Sequence, residues 1–110
     1  MNALLYKELE VNILIVRFNL EGLTHDEFVS STDDAAPHWA AIEGLISKHW
    51  IANEETNTYG GVYLFENEES MLNYKASPLC DQLLATPAFI NFEITDYHLL
   101  ESPSKVTRAI

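Results

Sequence analysis

Seven residues of this sequence could do chemistry together: Trp39, Lys48, His49, Trp50, Tyr59, Tyr63 and Tyr74. Rings tipped with phenol, indole or imidazole groups, set beside one ammonium, suit a flat, apolar, partly phenolic molecule; the rings make the walls and the few polar tips orient what binds. Lys48 and Trp50 alternate onto one face of a strand, and Tyr74 comes from a helix expected to cross the sheet. Taken singly, each of the seven is explained better as ordinary core packing, with a polar tip reaching the surface.

Other chemistries find less support. His25, His38, His49 and His98 lack the close spacing of transition-metal ligands, and Cys80 has no second cysteine beside it, so no metal site is expected. Cys80 also has no base near it in sequence and reads as a small core residue rather than a nucleophile. Gly60-Gly61 falls at the start of a strand, not between a strand and a helix, which marks a bulge or close backbone packing instead of a phosphate loop. The run Gly60-Gly61-Val62-Tyr63-Leu64-Phe65 has the aromatic pattern of an RNA-recognition strand, but Tyr59 stands where a basic residue would precede the glycines. Six Lys and Arg against seventeen Asp and Glu give a formal charge of -11, which repels phosphate backbones and anionic membranes. Neither nucleic acid nor a membrane is an expected partner.

The elements that must position these residues follow from local pattern. Val11 to Asn19 alternates Ile13, Ile15 and Arg17 against Leu14, Val16 and Phe18, which predicts a first strand. Thr24 and Glu27 form a capping box, with Leu23 and Phe28 as its hydrophobic staple. The helix they open should end near Ala36, because Pro37 cannot donate a helical hydrogen bond, and a short second turn through Trp39 and Ile42 follows. Leu45 to Ala52 is a strand with large apolar groups on both faces, both expected to be covered. Asn53 to Thr58 is a hairpin loop and Tyr59 to Phe65 the next strand. Asn67 caps a helix reaching about Lys75, with Met71, Leu72 and Tyr74 inward, and Ser77-Pro78 opens a short helix to Ala85. Phe89 to Leu100 is a long final strand, and Ser102 to Ile110 is a tail without clear pattern.

Strand, helix, strand, strand, helix, strand is the split βαβ order of an α+β, ferredoxin-like βαββαβ sandwich. Its helices cover one sheet face, so the second set of apolar side chains would lie bare unless another chain covers it; a homodimer through that face is expected. At 110 residues and 12.5 kDa, residues 1–110 form a single expected domain, with 102–110 as its C-terminal tail. The lone Cys80 and a start, Met1 to Glu10, without a basic and apolar leader pattern point to a cytoplasmic protein. No apolar run approaches the roughly 20 residues of a membrane-spanning helix.

Gly44-Leu45-Ile46-Ser47-Lys48-His49-Trp50-Ile51, then Gly60-Gly61-Val62-Tyr63-Leu64-Phe65, Ser70 and Tyr74, resemble the YdhR-like monooxygenases. That family is similar to the dimeric α+β-barrel superfamily that holds the antibiotic-biosynthesis monooxygenases. The resemblance implies two ferredoxin-like chains pairing their sheets into a barrel, each with a pocket between sheet and helices. It further implies oxidation of a small aromatic, phenolic or quinol-like substrate by dioxygen, with neither metal nor flavin cofactor. On that reading Trp39, Trp50, Tyr59 and Tyr74 shape the substrate pocket, His49 or Tyr63 relays a proton, and Lys48 or Arg17 stabilises a developing oxyanion. Haem cleavage is disfavoured because its Asn, Trp and His set is incomplete here, despite Asn12 and Asn19. A non-catalytic dimeric module that binds an apolar metabolite, or a purely structural dimer subunit whose cavity is filled by its own side chains, would share the same scaffold.

Overall fold

A computed structural model of the chain describes residues 10–109. Four strands, β1 (Asn12–Leu20), β2 (Leu45–Asn53), β3 (Thr58–Phe65) and β4 (Phe89–His98), form one antiparallel sheet in the order β2-β3-β1-β4. Helix α1 (His25–Ala40) connects β1 to β2, while α2 (Glu68–Lys75) and α3 (Pro78–Leu84) connect β3 to β4. A last short helix, α4 (Glu101–Val106), follows β4. This is the expected α+β ferredoxin-like architecture. The reading of Met1 to Glu10 as leaderless falls, save for Glu10, outside the described residues, as does Ile110.

Alternation along β1 decides where the core sits. Leu14, Val16, Phe18 and Leu20 are buried, whereas Ile13 and Ile15 are half-buried and Arg17 is exposed. Against the buried set pack Phe28 and Trp39 of α1, Met71 and Tyr74 of α2, Cys80 of α3, and Tyr59, Tyr63 and Phe65 of β3. Cys80 is thus the small core residue its isolation suggested. The opposite face carries Ile13 beside Leu64, Ile15 beside Val62, and His49 beside Val62, with Ile51 further along β2. Among the described residues no helix covers that face.

The capping box at the start of α1 is present in both directions: Glu27 N–H donates to Thr24 Oγ1 at 3.1 Å, and Thr24 N–H donates to Glu27 Oε1 at 2.9 Å. The expected break at Pro37 is absent, and α1 runs unbroken to Ala40. Pro37 deprives only the Asp33 carbonyl of a partner, and Asp33 is exposed. Two residues later the Trp39 ring is buried. Burying an indole is worth about 4 to 6 kcal/mol, enough to offset the roughly 3 kcal/mol a helical proline costs.

Other corrections are smaller. Leu72 lies about half-exposed rather than inward, since Met71 and Tyr74, three positions apart, already define the buried stripe of α2. Strand β2 is at the sheet edge, so Ile46 is exposed and Trp50 partly so; its faces are less covered than its composition suggested. Strand β4 stops at His98, and the tail contains α4, with Leu100 and Val106 exposed beside it or within it.

Two tight joints hold the ends of the sheet. Asn57, in the left-handed region at φ 53°, bridges the β2–β3 turn to the end of β1, donating to Leu20 O at 2.9 Å and accepting from Leu20 N–H at 3.2 Å. Gly44, at φ 81°, enters β2 where a side chain would collide with Ser70.

Candidate functional site

The helix-facing side of β2 presents Lys48 and Trp50, two residues apart. In the sheet register Lys48 lies opposite Tyr63 and Trp50 opposite Gly61. Trp39 descends from the last turn of α1 onto the same spot, its ring 5.5 Å from that of Trp50 in an edge-on arrangement. These three rings box the Lys48 amine. Nζ lies 3.3 Å from the Trp50 ring centre, 4.0 Å from Trp39 and 4.8 Å from Tyr63.

Gly61 makes room for this arrangement. A Cβ on it would stand 2.7 Å from Lys48 Cε and 3.0 Å from Tyr63 Cε1, so the lysine stem occupies the space a side chain would need. Beyond the amine lies a cavity of about 70 Å³ lined by Phe18, Phe28, Phe89, Leu83, Ser31 and Thr32. Among the described residues its only titratable lining groups are Lys48 and Tyr63. Burial without a counter-charge pushes the Lys48 amine down to about 7. The ring faces attract the ammonium and work against that fall.

Behind the box the polar tips form a chain. Trp39 Nε1–H donates to the Tyr63 hydroxyl at 3.2 Å, and the Tyr63 and Tyr74 hydroxyls lie 3.3 Å apart. Because Tyr63 accepts from an indole that can only donate, its own proton is free to go to Tyr74. Burial pushes both phenols above their usual range, so both stay neutral and act as donors rather than as bases. Tyr74 in turn lines an open, polar cleft of about 460 Å³ between the end of α1 and the α2–α3 joint, with His38, Glu43, Glu66 and Glu69 around it.

Of the residues singled out from sequence, the structure brings together Trp39, Lys48, Trp50, Tyr63 and Tyr74. It sets three apart. His49 is exposed on the opposite sheet face, beside Val62, because successive strand residues alternate. Arg17 is on that same far face and is ion-paired with Glu93. Neither His49 nor Arg17 lines the Lys48 pocket within this chain. Tyr59 is buried in the core, where its hydroxyl meets His25 Nδ1 at 2.8 Å and its ring packs on Phe28.

Sequence reasoning missed Phe28 and Phe89 as cavity walls, Gly61 as the seat of Lys48, and His25 as the partner of Tyr59. Phe28 was visible as a staple residue and Gly61 as a strand glycine. Their convergence on one lysine depends on tertiary register, which no local pattern reports.

A family described as "Putative mono-oxygenase ydhR" matches residues 13–110. No curated protein matches the chain in sequence. Among solved structures, a protein of unknown function, NE2512 from Nitrosomonas europaea, superposes with a TM-score of 0.71 at 17% identity, covering 86% of this chain and 94% of its own. SnoaB, a cofactor-independent oxygenase from Streptomyces nogalater, gives 0.66 at 16% identity, covering 84% and 96%. The hydroxynitrile lyase from Passiflora edulis gives 0.63 at 15% identity, covering 86% and 97%. At such identities these structures show the shared fold, and two different activities are named on it. The family match is the stronger finding, since it spans β1 to the C-terminal residues and includes the Lys48, Trp50, Gly61 and Tyr63 positions. This chain therefore belongs to the ydhR mono-oxygenase family.

Proposed function

We propose that the protein is a single-domain, cytoplasmic monooxygenase that needs neither metal nor flavin and oxidises a small phenolic or quinol-like molecule with dioxygen. The observation that carries this reading is the Lys48 amine, half-buried at the mouth of an aromatic cavity, with no carboxylate among the described lining residues. Such an amine is unprotonated for much of the time near neutral pH and can take a proton from an acidic substrate.

The chemistry needs little more. Trp39, Trp50 and Phe28 hold a flat ring, and Lys48 removes a proton from a phenol or from a methylene activated by the ring. The resulting carbanion or phenolate gives its electrons to dioxygen. For an activated methylene, one oxygen atom becomes the new carbonyl and the other leaves as water; the four electrons come from the carbon itself, so no external reductant is needed. Lys48, now an ammonium held by ring faces, stands beside the developing negative charge. Apolar walls keep water from the intermediate.

The cavity is about 70 Å³, smaller than the roughly 150 Å³ that accepts benzene in an engineered protein core. A ring therefore enters by displacing the lysine side chain from the Trp50 face, which is partly exposed at the mouth. That small volume is also the observation favouring the second reading, a non-catalytic module that binds an apolar metabolite. The working unit in either case is a homodimer, formed where Ile13, Ile15, Val62 and Leu64 leave an apolar strip on the open sheet face.

Turnover of phenolic and anthrone-like compounds under isotopically labelled dioxygen tests the reading. One labelled oxygen atom in the product, absent with Lys48→Met, is the expected result. Tight binding of the same compounds without label incorporation would leave the binding module standing and the oxygenase refuted for those substrates.

A further inference from the structure

We propose that Lys48 captures small aromatic aldehydes, forming an imine between its amine and the carbonyl carbon inside the Trp39–Trp50–Tyr63 box. The inference goes beyond the oxygenase reading and does not rest on it, because it requires only a free amine beside ring faces that an aromatic ring reaches when the lysine side chain swings off Trp50.

Three observations carry it. First, the two other described lysines are exposed and ion-paired, Lys75 with Asp96 and Lys105 with Glu101, whereas Lys48 has no carboxylate within ion-pair distance among the described residues. Second, its stem is seated over Gly61, where a Cβ would stand 2.7 Å from Cε, so the amine is delivered to a defined place instead of sweeping through solvent. Third, what surrounds the amine recognises rings: two indoles and a phenol in contact, and Phe18, Phe28 and Phe89 beyond.

The described residues that line the cavity beside the amine come from six elements, and none is a carboxylate. From α1 come Phe28, Ser31, Thr32, Ala35 and Trp39; from β1, Val16 and Phe18; from β3, Gly60, Gly61 and Tyr63. Leu83 of α3, Phe89 of β4 and Trp50 of β2 complete the wall. Tyr63 is the one titratable member besides Lys48, and burial keeps it neutral. With no acid among the described lining residues, only the ring faces favour the proton on the amine, while burial pushes the group down to about 7.

In the reaction the amine nitrogen attacks the carbonyl carbon and forms the C–N bond. The carbonyl oxygen collects two protons, both lost from the nitrogen and one of them passed through solvent as the first adduct collapses, and leaves as water. Nothing is oxidised or reduced.

The test uses the intact wild-type protein at pH 7 with 4-hydroxybenzaldehyde and cyanoborohydride, which fixes an imine as a secondary amine, followed by peptide mapping. The expected result is modification of Lys48 at least about tenfold faster than Lys75 or Lys105, since an ordinary lysine is almost wholly protonated at that pH. The Lys48 rate should fall as pH drops below about 7, and those of the other two as pH drops below the ordinary lysine range. Butanal should lose the preference for Lys48. Equal rates at the three lysines, or a butanal preference equal to that of the aromatic aldehyde, would overturn the proposal. Comparing lysines within one folded protein avoids dependence on any variant; Lys48→Arg, if folded, should retain the slow labelling elsewhere and lose the fast phase.

Discussion

The Lys48 amine lies 3.3 Å from the centre of the Trp50 ring, on a strand where the two residues are neighbours on one face. An ammonium so placed is attracted by the indole and penalised by its separation from water, and the two effects oppose each other. Burial by itself lowers the amine to about 7, into the range where a proton acceptor is useful.

That shift has a consequence for stability with a definite sign. In the unfolded chain Lys48 keeps its proton up to about 10.5, whereas in the fold it loses it above about 7, so between these values the unfolded chain binds more protons. Wild-type stability therefore rises with pH across this window, and the penalty is present in full below pH 7. Lys48→Met should stabilise the fold by about 2 to 4 kcal/mol at pH 6 and by much less at pH 10.5, as read from urea unfolding at the two values.

Gly61→Ala should be felt at the amine. The new methyl would crowd Lys48 Cε at 2.7 Å and the Tyr63 ring at 3.0 Å. The lysine stem, being flexible, should swing outward toward solvent. Expected are a loss of roughly 1 to 3 kcal/mol of stability and an amine that titrates nearer 10.5, followed by NMR of the lysine side chain.

Tyr59→Phe separates the pocket from the core. It removes the hydroxyl that meets His25 at 2.8 Å without touching the Lys48 box. Stability should fall by about 1 kcal/mol while ligand affinity and turnover stay within twofold of wild type. A large loss of turnover would return Tyr59 to the site.

How much of this was legible beforehand depended on whether the signal was local. Strand alternation in β1, the Thr24–Glu27 capping box and the Ser77-Pro78 helix start are short-range patterns, and each element formed where its pattern lay. Alternation also put Lys48 and Trp50 together on one face and His49 on the other; the roles suggested for His49 and Arg17 came from resemblance and ran against that alternation. Pro37 was misjudged because the buried Trp39 that holds α1 together past it is a tertiary contact. Helix α4 escaped notice because Leu100 offers no side-chain cap to announce it.

Ile15→Asp addresses assembly. Ile15 sits beside Val62 on the open sheet face, away from the Lys48 pocket. If the proposed homodimer forms through this face, a carboxylate there should leave the protein monomeric in light scattering, with the circular dichroism of the fold retained. A wild-type protein already monomeric at micromolar concentration would refute the dimer.

Oxygen consumption by the metal-free protein, followed from pH 5.5 to 9 with one active phenolic substrate, tests the central claim most directly. The rate above the uncatalysed reaction should climb as pH rises through about 7, as the amine loses its proton, and Lys48→Met should lower it by at least about a hundredfold at every pH. A protein that consumes oxygen equally well with methionine at position 48 would contradict the account.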